Sequence, residues 1–258
     1  MPLSGRVALV TGVSRRVGIA WALVERLHGL GATVFATGWP PHDGEMPWGE
    51  DPLPATELYV EERDLEPARE PGALVDAVVE RFGAVDIVAA VHARSSHHSL
   101  AAMTAEELDR CWAVNVRSVL LLAQRFAERH DGGRPGGRML WFTSGQHFGP
   151  MADELPYAVT KGALHQMTAS VAEPLADAGI VVNCINPGPV DTGYATGAAH
   201  TRVASMFPAG RWGTTADVAN LVAFLVSDEG GWIQGQVLDS EGGFRRWAPV
   251  DVDQGPGP

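Results

Sequence analysis

An α/β fold, with a parallel sheet covered by helices on both faces, follows from two features of this 258-residue sequence. Short apolar runs alternate with longer segments whose apolar residues recur at helical spacing, the pattern of strands buried on both faces between amphipathic helices. The junction between the first run and the first helix carries glycine, as the opening of a β-α-β unit does. No internal repeat or linker interrupts the pattern, so one domain over 1–248 is expected, followed by a frayed tail over 249–258.

Residues 7–10 (Val-Ala-Leu-Val) read as the first strand. The next helix carries Ile19, Leu23, Leu27 and Leu30 on one stripe and stops in the glycine-containing stretch 29–31. A second strand spans 32–37. Residues 38–54 contain Pro40, Pro41, Pro47, Pro52 and Pro54, so an irregular insertion is expected there rather than an element. Its length, with Trp39, Met46 and Trp48, points to a pocket cover or an interface. The acidic stretch 57–70 reads as a solvated edge holding a short strand. Leu74, Val75, Val78, Val79 and Phe82 share a helix face, and 85–91 is the next strand. Thr104 and Glu107 form a capping box, hydroxyl and carboxylate each taking a free backbone N–H, at the start of a long helix running to Arg129. That helix carries Cys111, Trp112, Val119, Leu122 and Phe126. A strand over 138–143, a helix over 155–175, a strand over 180–185, a helix opened by Thr214 and Asp217, and a strand over 236–238 complete the order.

A net charge of −12 offers phosphate backbones and anionic lipid no attraction, so neither nucleic acid nor a membrane is an expected partner. The two cysteines, Cys111 and Cys184, sit in separate apolar segments and read as buried thiols. The N-terminus lacks the pattern of a signal peptide and no run of 18 apolar residues occurs, so a cytoplasmic location is expected.

Residues 11–20 (Thr-Gly-Val-Ser-Arg-Arg-Val-Gly-Ile-Ala) join the first strand to the first helix. Glycine there lets the backbone approach a pyrophosphate, and the free N–H groups at the helix start favour negative charge. The acidic residue that would hold a ribose 2′-hydroxyl at the end of the second strand is absent, the place reading Thr37-Gly38-Trp39. Arg15 and Arg16 in the turn could pair with a 2′-phosphate, which selects NADP(H); Asp43, on a loop able to fold back, keeps NAD(H) open as the alternative. Tyr157 and Lys161 stand at i and i+4 on one helix face, where an ammonium would favour the phenolate and lower the Tyr pKa. Ser144, just after a strand, could hydrogen-bond a substrate carbonyl.

Thr11-Gly12, Asn115, Ser144, Tyr157, Lys161 and the run 186–192 (Asn-Pro-Gly-Pro-Val-Asp-Thr) together resemble the short-chain dehydrogenases/reductases, most nearly their 3-oxoacyl-thioester reductases and ketoreductases. The resemblance runs from Arg6 to Gly243. It implies a Rossmann-type doubly wound sheet of about seven strands in the order 3-2-1-4-5-6-7. It also implies that Tyr157 exchanges a proton with the substrate oxygen, that Lys161 lowers the Tyr157 pKa and holds the nicotinamide ribose, that Ser144 orients the carbonyl, and that Asn115 anchors a proton-relay water. Gly12, Ser14, Arg15, Arg16, Gly18 and Ile19 would hold the pyrophosphate side, Asp64 and Leu65 the adenine, and Pro187, Gly188, Val190 and Thr192 the nicotinamide, ahead of a mobile substrate lid reaching Trp212. His92, Arg94, His147, Tyr194 and Phe207 would line the substrate pocket. No metal is expected, since none of the histidines shares a ligand-like spacing with carboxylate or Cys.

Two departures from the family pattern stand out. The phosphate turn is two residues longer than usual, and 90–93 read Ala-Val-His-Ala where the family commonly has Asn-Asn-Ala-Gly, which removes an Asn that braces the neighbouring strand. The implied activity is interconversion of a ketone and a secondary alcohol, on a small substrate with a hydrophobic part, by a homotetramer or dimer. Alternatives are non-redox or C=C-reducing chemistry on the same scaffold, or a regulator that binds cofactor without turnover. Related enoyl reductases place their Tyr seven residues before the Lys, where this chain has Glu154.

Overall fold

The computed structural model describes residues 1–51 and 58–247. Seven parallel strands, β1 (Val7–Thr11), β2 (Thr33–Gly38), β3 (Tyr59–Glu62), β4 (Ile87–Ala90), β5 (Gly137–Phe142), β6 (Ile180–Asn186) and β7 (Val237–Asp239), form one sheet in the order β3-β2-β1-β4-β5-β6-β7. This is the Rossmann-type order expected. β1 is an interior strand, with Leu9 paired to Phe35 on one side and to Val88 on the other.

The strand runs are apolar throughout because both faces are covered. Leu9, Val88, Met139 and Trp141 point to one face, against Leu74 and Val78 of α3 (Glu70–Phe82) and Leu122 and Phe126 of α5 (Ser118–Arg129). Their alternate neighbours Ala8, Val10, Ile87, Ala89 and Leu140 point to the other, against Leu23 and Leu27 of α1 (Ile19–Gly29) and Val222 and Leu225 of α8 (Thr215–Val226). The period of two along each strand thus divides its side chains between two dry layers.

The N-terminal ends of the strands are closed by buried charge. Arg6 donates to the Val226 carbonyl at 2.8 Å and to the Gly136 carbonyl at 2.6 Å. Asp86 accepts from the Val7 N–H at 2.7 Å and from Arg134 at 2.7 Å, and these partners hold its carboxyl below the usual range against the opposing effect of burial.

Two segments differ from the sequence reading. The insertion 38–54 is not wholly irregular: prolines at the first helical positions, where the missing N–H is not needed, start the short helix α2 (Pro40–Gly44). Residues 52–54, and the tail expected to fray, lie outside the described residues. The long helix expected from Thr104 to Arg129 is broken into α4 (Ala105–Trp112), a π-turn (Ala113–Arg117) and α5. Its capping box is half made. The Thr104 hydroxyl accepts from the Glu107 N–H at 3.2 Å, but the Glu107 carboxylate turns to Arg94 at 3.0 Å, because a guanidinium is a stronger partner than a backbone amide. The box at Thr214 and Asp217, opening α8, is complete.

The helix expected over 155–175 is α6 (Leu155–Asp177), and the segment expected to form a lid carries a helix of its own, α7 (Gly197–Ser205). Cys111 and Cys184 are buried and free, and burial pushes both thiols up to about 12, so neither is a ready nucleophile. Among the described residues, no helix is long and apolar enough to cross a membrane.

Candidate active site

The sequence-derived residues converge on the C-terminal ends of the strands, where crossover helices leave a crevice. Gly12 ends β1 with φ +82°, and a Cβ there would stand 2.6 Å from the His92 backbone nitrogen. Only glycine lets β1 and β4 close up at that point. Gly18 caps α1, and its N–H donates to the Arg15 carbonyl at 3.0 Å, tightening the long turn.

A groove of about 330 Å³ runs from this turn across β2. Gly12, Ser14, Arg15, Gly18 and Ile19 line one side, Asp64 and Leu65 the far end, and Thr192 the near end. The insertion forms its outer wall. Trp48 donates to Asp43 at 2.7 Å, and the Arg15 guanidinium lies 5.3 Å over the Trp48 ring. Arg94 joins Glu45 of this strap at 2.9 Å, and the Ser95 N–H donates to the His42 ring at 3.0 Å. Trp39 and Trp48, which pointed to a pocket cover, line the groove, and so does His42, which was not picked out by sequence. The aromatic content of the insertion was the signal, but proline density hid the helix that aims it.

Among the described residues, the groove's other arginines are committed to carboxylates: Arg63 to Glu61 and Glu70, Arg94 to Glu45 and Glu107, and Arg110 to Glu45 and Glu66. Arg15 makes no ion pair there. Arg16, expected beside it, does not line the groove. Its side chain is exposed and its backbone N–H donates to Asp51 at 2.9 Å, because adjacent residues of the extended turn point opposite ways.

Ser144 follows β5, Tyr157 opens α6, and Lys161 stands one turn further on. Lys161 is buried, donates to the Phe142 carbonyl at 2.7 Å, and lies 5.4 Å from the centre of the Tyr157 ring. Burial pushes Tyr157 up to about 12, with Glu154 adding to the rise and a hydrogen bond with Ser144 opposing it. The expected lowering of the phenol by Lys161 is therefore not what the protein alone produces. Burial brings Lys161 itself down to about 8, weakening the cation that would do it.

Asn115 sits in the π-turn, wholly buried. Its side chain accepts from the Arg94 N–H at 2.6 Å and donates to the Arg94 carbonyl at 3.0 Å and the Thr160 hydroxyl at 2.9 Å. Thr160 donates in turn to the Tyr157 carbonyl at 2.7 Å, so the π-turn is wired to the first turn of α6.

A second cavity of about 400 Å³ lies beside Ser144, with Gly188, Tyr194, Met206, Phe244 and Arg246 in its wall. Of the expected pocket residues only Tyr194 is found there. Phe207 is buried behind the wall, its ring 4.9 Å from that of Phe244. His147 is drawn away by Asp239 of β7 at 3.1 Å and by the rings of Phe148 and His165. Arg94 is consumed by its ion pairs in the nucleotide groove. His92 touches that groove but its ring bridges Thr11, Val114 and Ser118, so it restores the brace that the missing Asn left open. Pro187 and Val190, expected at the nicotinamide, face a cavity beneath the lid with Trp212 and Phe207. Arg246 was missed because nothing local marks a residue so near the C-terminus as part of a pocket. Among the described residues, no group of three or more His, Cys, Asp or Glu side chains is placed to hold a metal ion.

A family model described as enoyl-(acyl carrier protein) reductase matches residues 12–245. The uncharacterized oxidoreductase YjdA of Bacillus subtilis is 36% identical over 248 residues, covering 93% of this chain and 97% of its own. The 3-oxoacyl-(acyl-carrier-protein) reductase FabG of Escherichia coli is 31% identical, covering 95% and 99%. A crystal structure of a short-chain dehydrogenase from Burkholderia cenocepacia in complex with NADP superimposes with a TM-score of 0.80 at 32% identity, covering 94% of this chain and 99% of that one. The chain belongs to the short-chain dehydrogenase/reductase family and is an oxidoreductase of that class.

Proposed function

We propose that this chain is an NADP(H)-dependent reductase that interconverts a ketone and a secondary alcohol. The observation that carries the reading is the grouping of Ser144, Tyr157 and Lys161 beside a cavity, with a glycine-walled groove opening from the same strand ends. The groove fits a dinucleotide: Gly12 is closed to any side chain, and Arg15 is a guanidinium without a carboxylate partner among the described residues. Gly12, Ser14, Arg15, Gly18 and Ile19 would hold the phosphates, Asp64 and Leu65 the adenine end, and Thr192 the nicotinamide end. Arg15 would take a 2′-phosphate. The bound NADP in the Burkholderia cenocepacia structure supports that choice. Asp43, the residue that favoured NAD(H), has its carboxylate engaged by Trp48.

When bound, NADPH supplies a hydride to the carbonyl carbon. Tyr157 holds the proton destined for the carbonyl oxygen, and its high pKa keeps it protonated at neutral pH. The Ser144 hydroxyl donates a hydrogen bond to the same oxygen as it gains charge. Lys161, with a pKa near 8, carries a proton it can release near neutrality and returns one to Tyr157 after each turnover. Asn115 positions Tyr157 through Thr160. Carbonyl reduction rather than C=C reduction is favoured because the phenol stands four residues before Lys161 and Glu154 occupies the place seven before it. Exposed Trp112, Leu120 and Val159, on α4, α5 and α6, support a homodimer or tetramer through those helices. The test is paired titration of NADPH and NADH, followed by absorbance turnover on a panel of ketones and thioesters. Tighter NADPH binding with ketone-dependent oxidation is expected; failure of both nucleotides to bind would overturn the proposal.

A further inference from the structure

The C-terminal segment that completes the cavity beside Ser144 brings in a single charged side chain, Arg246, the only one lining that cavity among the described residues. Its guanidinium presses against Gly145, where an added Cβ would collide with it, so the charge stands next to the reacting centre. Two aromatic rings lie close to it, with centres 5.0 Å away for Phe148 and 5.1 Å for Phe244. Glu241 takes both terminal nitrogens of Arg246, and Asn186 donates to the same carboxylate at 2.8 Å. Glu241 packs closely on Gly188, where an added Cβ would stand 2.8 Å from its Cα.

A cation meant to receive a carboxylate or phosphate on the substrate would be left without an ion pair, as Arg15 is among the described residues of the nucleotide groove. Here the cation is cancelled in place by Glu241, with the Phe148 and Phe244 rings packed near it. The rest of the wall is apolar or uncharged, with Met151, Tyr194, Met206 and Trp247. A substrate anion would have to compete with Glu241 for Arg246 while losing its own hydration, and burying an unpaired charge is strongly unfavourable. The nearby carboxylates do not reverse this. Asp239 is taken by His147, and Glu154 is held up in pKa mainly by burial.

From this geometry we infer that the Arg246–Glu241 pair makes the site selective for neutral ketones with an apolar or aromatic body and excludes substrates that carry an anionic group near the carbonyl. The inference rests on the ketone–alcohol reading above and names its substrate class. At about 400 Å³ the cavity is at the small end of ligand pockets, which suits a compact aryl or alicyclic ketone.

The test uses two ketones of equal shape, 4-acetylbenzamide and 4-acetylbenzoate, titrated calorimetrically into the full-length protein saturated with NADP+, where no turnover occurs. Turnover with NADPH is measured in parallel. The wild type is expected to bind the amide at least tenfold more tightly than the carboxylate. Glu241→Gln, which keeps a side chain able to meet Asn186 but uncovers the Arg246 charge, should shift the ratio at least tenfold toward the carboxylate. Arg246→Gln, which uncovers Glu241 instead, should shift it the other way, and it decides the matter alone if Glu241→Gln does not fold. Equal or tighter binding of the carboxylate by the wild type, or a shift in the same direction in both variants, overturns the inference while reduction of the amide leaves the ketone reading intact. A protein that binds NADPH yet neither binds nor reduces these or any wider set of neutral ketones overturns both.

Discussion

The Nδ1 atom of His92 lies 2.6 Å from the hydroxyl of Thr11, and the opposite nitrogen of the same ring lies 2.7 Å from the Ser118 hydroxyl and 3.1 Å from the Val114 carbonyl. One imidazole therefore ties the ends of β1 and β4 to the π-turn that holds Asn115. His92→Ala would leave Ser118 its bond to the Val114 carbonyl and Thr11 its bond from the Val91 N–H but remove the bridge between them, at about 1–3 kcal/mol for a group left unsatisfied. Urea denaturation should show a loss in that range, and His92→Asn, able to meet Thr11 but too short for Ser118, should recover part of it. An unchanged midpoint in His92→Ala would show that the bridge carries no stability.

The same ring gives the protein an acid-side signature. Burial, with the Lys161 charge nearby, pushes the His92 pKa down from 6.5 to about 3. The unfolded chain then binds a proton below pH 6.5 that the folded chain refuses, so stability is lost as pH falls through that window. The slope approaches about 1.4 kcal/mol per pH unit between pH 6 and 4.5, before the carboxylates add their own losses. His42, also lowered by burial, contributes in the same direction, so the diagnostic quantity is the difference between wild type and His92→Asn. That difference should narrow steadily as the pH is reduced from 7 to 4.5.

Tyr157→Phe removes the proton source and leaves the ring. Loss of ketone reduction by at least a hundredfold, with NADPH affinity within about threefold of wild type, is the expected result in single-turnover and binding measurements. Retained turnover would mean that a different group delivers the proton.

Arg15→Ser withdraws the guanidinium that has no carboxylate partner among the described residues of the groove. NADPH affinity should fall about tenfold to a hundredfold, the worth of one charge-assisted contact, while NADH affinity stays within about twofold. Fluorescence titration of both nucleotides measures this, and Arg16→Ser, on the exposed side of the turn, serves as the silent comparison.

Sequence revealed most where a residue's neighbours are its own chain segment. The strands announced themselves because burial on both faces makes them continuously apolar, and Gly12, Tyr157 and Lys161 were legible because a turn or a single helical turn sets their geometry. Residues whose partners lie far away in the chain were misread. Glu107 was given to a cap, but Arg94 claims it; His147 was given to the pocket, but Asp239 claims it; His92 was read as pocket lining because its partners Thr11 and Ser118 come from two other elements. Periodicity reports that a side chain is buried and says nothing of what it meets there. Arg15 and Arg16 could not be told apart for a related reason, since their opposite orientations follow from the conformation of the lengthened turn.

The hydrogen bond from Arg6 to the Val226 carbonyl spans 220 positions of the chain. During synthesis the acceptor is made 220 residues after the guanidinium. Without α8 the guanidinium keeps only its Gly136 partner of the two, so β1 reaches its final surroundings only once α8 has been delivered. A nascent chain or a fragment that stops short of α8 is therefore missing the last piece of its first strand's foundation, and the sheet should assemble, and come apart, as one unit rather than in halves.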